Sequence, residues 1–253
     1  MGTPAQHDDQ RAFWDAKART FPRYEEGDDN YEAGVLRTIR EHGVDFGGRT
    51  VLDVGSGSGM YTLRLAREAR SVTAVDISPV MLDILARDAA GLGVGNIEYV
   101  CSDWMDFRRG ETYDVVFCSM TPAIQSDESR EKLLGHAHGW TVFMGFAGVM
   151  RSDVMAGLLA RYGLEPKVMN NGPQMREWLA GRGLAPVSVI LDGQWVVPKS
   201  LDAALDACST TLTNYGVTPD QELLREHLAP FEERPGVYVE RTDYKIELLL
   251  WEK

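Results

Sequence analysis

The sequence is short of cysteine, short of basic residues and without any long apolar run. Cys101, Cys118 and Cys208 are its three cysteines. Odd in number and far apart, they form neither a disulfide framework nor a CxxC pair for metal or redox chemistry, and a reducing, cytoplasmic setting is expected. No apolar stretch approaches the roughly 18 residues of a membrane span. The opening MGTPAQHDDQ lacks the basic region and apolar stretch of a secretory signal, and Gln6 stands where a myristoylation motif takes Ser or Thr. A soluble, unanchored chain is the expectation. Lys and Arg number 26 against 38 Asp and Glu, for a formal charge of −12. That balance works against broad attraction to DNA, RNA or anionic lipid, so no nucleic-acid and no membrane partner is expected.

What is present is globular: 253 residues, 44% hydrophobic and 25% charged, enough for one α/β sheet with insertions to bury a core without disulfides or structural metal. The first 46 residues read as helical and irregular, with Phe13, Trp14, Phe21 and Tyr24 ahead of a periodic stretch from Tyr31 to about His42. Strands are expected at Thr50–Val54, Ser71–Val75, Ile97–Val100, Tyr113–Ser119 and Trp140–Phe146, alternating with helices at Pro79–Ala90 and Ser129–Ala137. Such alternation predicts a doubly wound parallel sheet. Beyond Gly148 the pattern gives helices near 154–162, 173–180, 201–212 and 220–228, and strands near 186–191 and 245–251. No repeat or linker rich in Pro, Gly and Ser divides the chain. One domain over 1–253 is expected, with an N-terminal helical lid at 1–46, a core at 50–146 and a substrate cap at 195–240.

The sharpest signal is Val51-Leu52-Asp53-Val54-Gly55-Ser56-Gly57-Ser58-Gly59, a buried strand with one acid near its end that opens into alternating glycines. Glycine there lets the backbone turn tightly and approach a ligand. A dinucleotide fingerprint fits poorly, because G-x-G-x-x-G needs glycine where Met60 stands.

Taken in order and at their spacing, VLDVGSGSG, VTAVDIS, IEYVCSDW and YDVVFCS resemble the ligand-binding motifs of class I S-adenosylmethionine-dependent methyltransferases. The resemblance covers Thr50 to about Phe146. It implies a mostly parallel α/β sheet of seven strands in the order 3-2-1-4-5-7-6, the last antiparallel, and S-adenosyl-L-methionine as cofactor. It also implies a set of binding residues. Asp76, about 23 residues after Asp53, is placed like the acid that grips a ribose diol, and it can also cap the helix that begins near Pro79. Asp53 lies by resemblance toward the amino acid end. Gly55, Ser56, Gly57 and Gly59 bring backbone close to the ligand, and Ile77 is apolar enough for one adenine face. Asp103 matches the adenine-edge acid, while Trp104 packs on the ring or fills the core. Ser119 belongs near the methionine moiety.

Methyl transfer from a sulfonium is a direct displacement that gains much of its rate from proximity and alignment. A base is needed only for an acceptor that arrives protonated, so no catalytic residue is assigned. Met120, Thr121 and the N-terminal Tyr24 are candidates for the acceptor pocket, with Trp195 from the C-terminal insertion. Met-Thr-Pro-Ala at 120–123 differs from the Asn/Asp-Pro-Pro-aromatic pattern of nucleic-acid amino methylases. His136 and His138 read as structural or surface residues, and no metal site is expected. The reading is a small-molecule methyltransferase; a protein side-chain methyltransferase and a catalytically silent S-adenosylmethionine-binding module are its rivals. Oligomeric state is not readable from the sequence.

Overall fold

A computed structural model describes residues 4–253; the first three residues of the expected 1–46 segment lie outside the described residues. The chain divides into two compact units. The first runs to Gly145 and takes in Gln174–Val189 and Leu248–Lys253; the second comprises Phe146–Pro173 and Ile190–Glu247. The core expected at 50–146 falls in the first unit up to Gly145, and the cap expected at 195–240 falls in the second.

The elements follow in chain order: α1 (Pro4–Lys17), α2 (Tyr31–Glu41), β1 (Thr50–Val54), α3 (Thr62–Ala66), β2 (Ser71–Asp76), α4 (Pro79–Gly91), β3 (Ile97–Cys101), β4 (Tyr113–Ser119), α5 (Asp127–His136) and β5 (Ala137–Phe146). They continue with β6 (Arg151–Ser152), α6 (Asp153–Arg161), α7 (Asn171–Ala180), β7 (Val187–Lys199), α8 (Leu201–Asn214), α9 (Gln221–Leu228), β8 (Glu232–Arg234) and β9 (Val237–Glu252). Local chemistry sets the helix starts. Ser78 caps α4 by accepting from Met81 N, with Pro79 in the first turn where its missing N–H costs little. Ser126 and Ser129 close a reciprocal box that starts α5 at Asp127, two residues ahead of the expected Ser129. Ser152, Ser200 and Asp220 cap α6, α8 and α9 in the same way.

The strands lie in the order β3-β2-β1-β4-β5-β9-β6, with β7 and β8 also paired to β9. Counting only strands of five residues or more makes β7 the sixth and β9 the seventh, and the core reads 3-2-1-4-5-7-6 as expected. The first five strands are parallel neighbours. β9 runs against β5: Lys253 N donates to Gly139 O at 3.1 Å, while Ala147 N donates to Lys245 O at 2.9 Å. Val51–Val54, Val72–Asp76 and Val115–Cys118 are buried along their length, as strands covered on both faces must be.

The last strand begins at Val237 and not near Lys245, and β7 runs on to Lys199 past the expected Leu191. Both extensions carry mixed polar residues, Glu240, Arg241 and Asp243 among them, that give no buried-strand signal. The two-residue β6 and three-residue β8 were not expected either. Within the second unit, Val154 and Leu158 of α6 pack with Leu205, Cys208 and Leu212 of α8 and with Leu224 and Leu228 of α9. No described helix is long and apolar enough to cross a membrane.

Candidate functional site

Register brings three strand ends together. Val54 of β1 pairs with Val75 of β2 and with Cys118 of β4, so Gly55, Asp76 and Ser119 leave the sheet side by side at its carboxyl edge. In an open α/β sheet that edge is where ligands bind. The loop after β1 turns back at once, with Gly55 N and Ser56 N both donating to Val75 O, at 2.8 and 3.1 Å.

Two of the glycines are required by space. A Cβ on Gly55 (φ +72°) would sit 2.3 Å from Thr121 Oγ1, and one on Gly59 (φ +89°) would sit 2.2 Å from Leu85 Cδ1. Gly55 therefore borders the segment after β4, whereas Gly59 seats the loop on α4. Gly57 N donates to Asp76 Oδ2 at 2.8 Å, and Ser78 N donates to Oδ1 at 2.9 Å. Burial raises the Asp76 pKa, and these backbone bonds oppose the rise. With Ile77 N–H also favouring the ionised form, the carboxylate keeps acceptor capacity for a ligand hydroxyl.

Asp53 is buried and accepts from Thr62 Oγ1 at 2.6 Å. Desolvation nonetheless lifts its pKa to about 7. Asp103 Oδ1 accepts from Met105 N at 2.7 Å. Trp104 belongs to the buried core, donating its indole N–H to Ser129 O at 3.1 Å, and it also lines the cavity. Met120 closes the group with φ +48°, a left-handed backbone rarely held by a non-glycine residue.

One cavity in the first unit is lined by Asp53, Gly55, Ser56, Gly57, Asp76, Ile77, Asp103, Trp104, Ser119, Met120 and Thr121 of the expected residues. Gly59 does not line it, for the packing reason given above. Nor does Tyr24, whose ring lies under the guanidiniums of Arg64 and Arg67 at 5.2 and 5.5 Å. Trp195 belongs to the second unit, where its ring stacks on Tyr244 at 4.5 Å. The cavity also takes Gln10, Trp14 and Phe21 from the expected N-terminal lid, and Met60, Tyr61 and Met81, which sequence reasoning did not assign. Gln10 and Trp14 stand four apart on α1 and so share a face. The aromatic cluster was visible in the sequence, but the member that covers the loop is Phe21, not Tyr24.

The segment 22–27 is fastened across the loop and α3. Ser58 Oγ donates to Pro22 O at 2.6 Å, and the Arg64 guanidinium donates to Glu25 O at 2.6 Å and Gly27 O at 3.0 Å. Asp15 of α1 accepts from the Ser78 hydroxyl. His136 is structural, with its ring among Trp104, Phe107 and Tyr113 and its Nδ1 on Glu111 O. Among the described residues no cluster of three or more His, Cys, Asp or Glu could hold a metal.

The donor set fits a nucleoside that carries positive charge and no phosphate. Three carboxylates line the cavity with no Lys, Arg or His among the described residues, so a pyrophosphate would meet repulsion, whereas a ribose diol and a sulfonium meet acceptors. Residues 51–142 match the protein family described as "Methyltransferase domain". Over 101 residues the chain is 34% identical to the cypemycin N-terminal methyltransferase of Streptomyces sp., covering 40% of each protein. Over 75 residues it is 36% identical to the mitochondrial ubiquinone biosynthesis O-methyltransferase of Schizosaccharomyces pombe, covering 29% of this chain and 27% of that one. The chain thus spans less than half the length of these curated relatives. The solved structure of magnesium protoporphyrin IX methyltransferase from Synechocystis with bound SAH aligns over 96% of this chain and 98% of that one, with a TM-score of 0.56 at 15% identity, a likeness of fold. The matched segment and the strand order together give residues 51–142 the doubly wound core of a methyltransferase domain.

Proposed function

We propose that the chain is an S-adenosylmethionine-dependent methyltransferase acting on a small-molecule acceptor by direct in-line displacement. The observation that carries this reading is the cavity at the carboxyl ends of β1, β2 and β4, where the Asp76 carboxylate faces the glycine loop and no basic side chain is present among the described residues. The cofactor, when bound, supplies an electrophilic methyl group on a sulfonium.

The chain's own part is binding and alignment. Asp76 accepts from the ribose hydroxyls; Ile77 and Trp104 pack on the adenine, and Asp103 accepts from its exocyclic amine. Gly55 and Gly57 admit the ligand to the backbone, Ser56 and Ser119 lie toward its methionine end, and Asp53 offsets its positive charge. Met120 and Thr121 shape the acceptor side with Pro122 and Ala123. Holding the acceptor in line behind the methyl carbon supplies most of the acceleration, so no general base is assigned. A small acceptor is supported by Trp14 and Phe21, whose bulky rings line the cavity from the N-terminal segment.

Calorimetry with S-adenosylmethionine, S-adenosylhomocysteine and NAD tests the cofactor: the first two bind and NAD does not, and a preference for NAD would sink the reading. Labelled methyl transfer in cell extract, followed before and after a size cut-off filter, tests the acceptor. Label is expected in the small fraction; label confined to macromolecules would make the acceptor a protein or nucleic acid.

A further inference from the structure

The cavity is charged with one sign only: Asp53, Asp76 and Asp103 line it, and no cationic side chain does so among the described residues. The proposed cofactor nevertheless ends in a carboxylate, and a carboxylate taken out of water must find donors. Arg64 does not line the cavity, and both its terminal guanidinium nitrogens donate to the carbonyls of Glu25 and Gly27, although its Nε–H is buried without a partner among the described residues.

Three hydroxyls remain. Ser56, Tyr61 and Ser119 all line the cavity; the oxygen of each is buried and meets no well-aligned hydrogen-bond partner among the described residues, although the Tyr61 and Ser119 hydroxyls lie close enough to bond to one another, which still leaves the pair a proton to donate. Tyr61 is the most enclosed, 6% exposed, with its ring against Phe117 at 5.1 Å between centroids. Ser119 lies near enough to favour ionisation of the Tyr61 hydroxyl, but burial dominates and pushes its pKa well above the usual tyrosine range. The phenol therefore stays protonated and able to donate. Buried hydroxyls without partners are uncommon in folded proteins, and three of them lining one cavity point to a ligand that supplies the acceptor.

We propose that Tyr61, with Ser119 beside it, receives the carboxylate of the ligand, so that this end of the cofactor is recognised by neutral hydroxyls and not by a cation. The assignment rests on the S-adenosylmethionine reading above and adds to it a specificity-determining residue. A hydroxyl bonded to a buried carboxylate makes a short, charge-assisted bond.

The test is calorimetric titration of S-adenosylhomocysteine and of its decarboxylated analogue into the protein and into Tyr61→Phe, which keeps the ring against Phe117. Tyr61→Phe is expected to weaken S-adenosylhomocysteine by about ten-fold or more. It should leave the decarboxylated analogue within about two-fold, because a coupling between two groups vanishes when either is gone. Ser119→Ala, which leaves the aromatic packing untouched, should show the same selectivity on a smaller scale. Equal weakening of both ligands, or an unchanged affinity for S-adenosylhomocysteine, overturns the role of Tyr61. If the unsubstituted protein binds neither ligand, the methyltransferase reading falls and this inference with it; loss of selectivity alone overturns only the inference.

Discussion

The backbone N–H of Gly57 donates to Asp76 Oδ2 across 2.8 Å, tying the glycine loop to the end of the second strand. Ser78 N holds the other oxygen, so one carboxylate fixes the loop, holds the residue that caps α4 and keeps acceptor capacity for a ligand. Asp76→Ala should therefore weaken S-adenosylhomocysteine binding by about 1–3 kcal/mol, the range for a hydrogen bond to a charged group and its loss. Titration calorimetry measures it alongside a thermal melt. A variant that melts lower yet binds as before would leave Asp76 a loop anchor only.

Gly55 and Gly59 should not tolerate a methyl group, since each combines a positive φ with a contact near 2.3 Å or 2.2 Å for the added carbon. Gly55→Ala and Gly59→Ala are each expected to cost about 1–3 kcal/mol of stability by denaturant titration. Gly34, inside α2 with nothing within 4 Å of an added Cβ, is the contrast. Gly34→Ala should stabilise by about 0.5–1 kcal/mol, through helix propensity and unfolded-state entropy.

Asp53 makes the protein pH-sensitive. Its folded pKa of about 7 lies above the unfolded value of 3.8, so the folded state holds the proton more tightly. The stability this contributes is complete below the unfolded value and is lost as pH rises through the folded one. Asp53→Asn should flatten the melting temperature across that window. A cationic ligand favours the carboxylate, so binding just below pH 7 should release a proton. Calorimetry in buffers of different ionisation heat should detect the release in the unsubstituted protein and find none in Asp53→Asn.

Arg64 is the anchor of the segment that crosses the loop. Its guanidinium, 9% exposed as a residue, donates to two backbone carbonyls of that segment. Arg64→Met keeps the aliphatic packing and removes the donors, with an expected loss of about 1.5–3 kcal/mol. Hydrogen exchange should quicken over residues 21–30 and remain unchanged in β1 and β2; protection retained at 21–30 would mean that Ser58 and the aromatic contacts suffice.

Much of the first unit was legible because its signals are local. Thr50–Val54 and Tyr113–Ser119 are short, mostly apolar and β-branched or aromatic runs, each with one acid, Asp53 or Asp114, and both strands occur at those limits. Pro79 marks a helix start, although the residue that caps the helix is Ser78 and not Asp76. Asp53, Asp76 and Asp103 could be singled out because each lies near, at or just past the end of a strand, and parallel strands in register deliver their ends to one edge. The second unit was less legible, since half-exposed strands such as Val237–Glu252 mix polar and apolar residues without a clean period.

The sequence by itself determined the alternation of strands and helices, the glycine loop and the acids that follow the strands, because these depend on burial patterns and backbone freedom over a few residues. Only the tertiary structure decided which side chains share the cavity. Phe21 rather than Tyr24 reaches the loop, Gly59 serves packing on Leu85, and Tyr61 joins Ser119 across 58 residues of chain. Irregular segments have no period from which to read a direction, and contacts between distant elements are set by how the strands order themselves in the sheet.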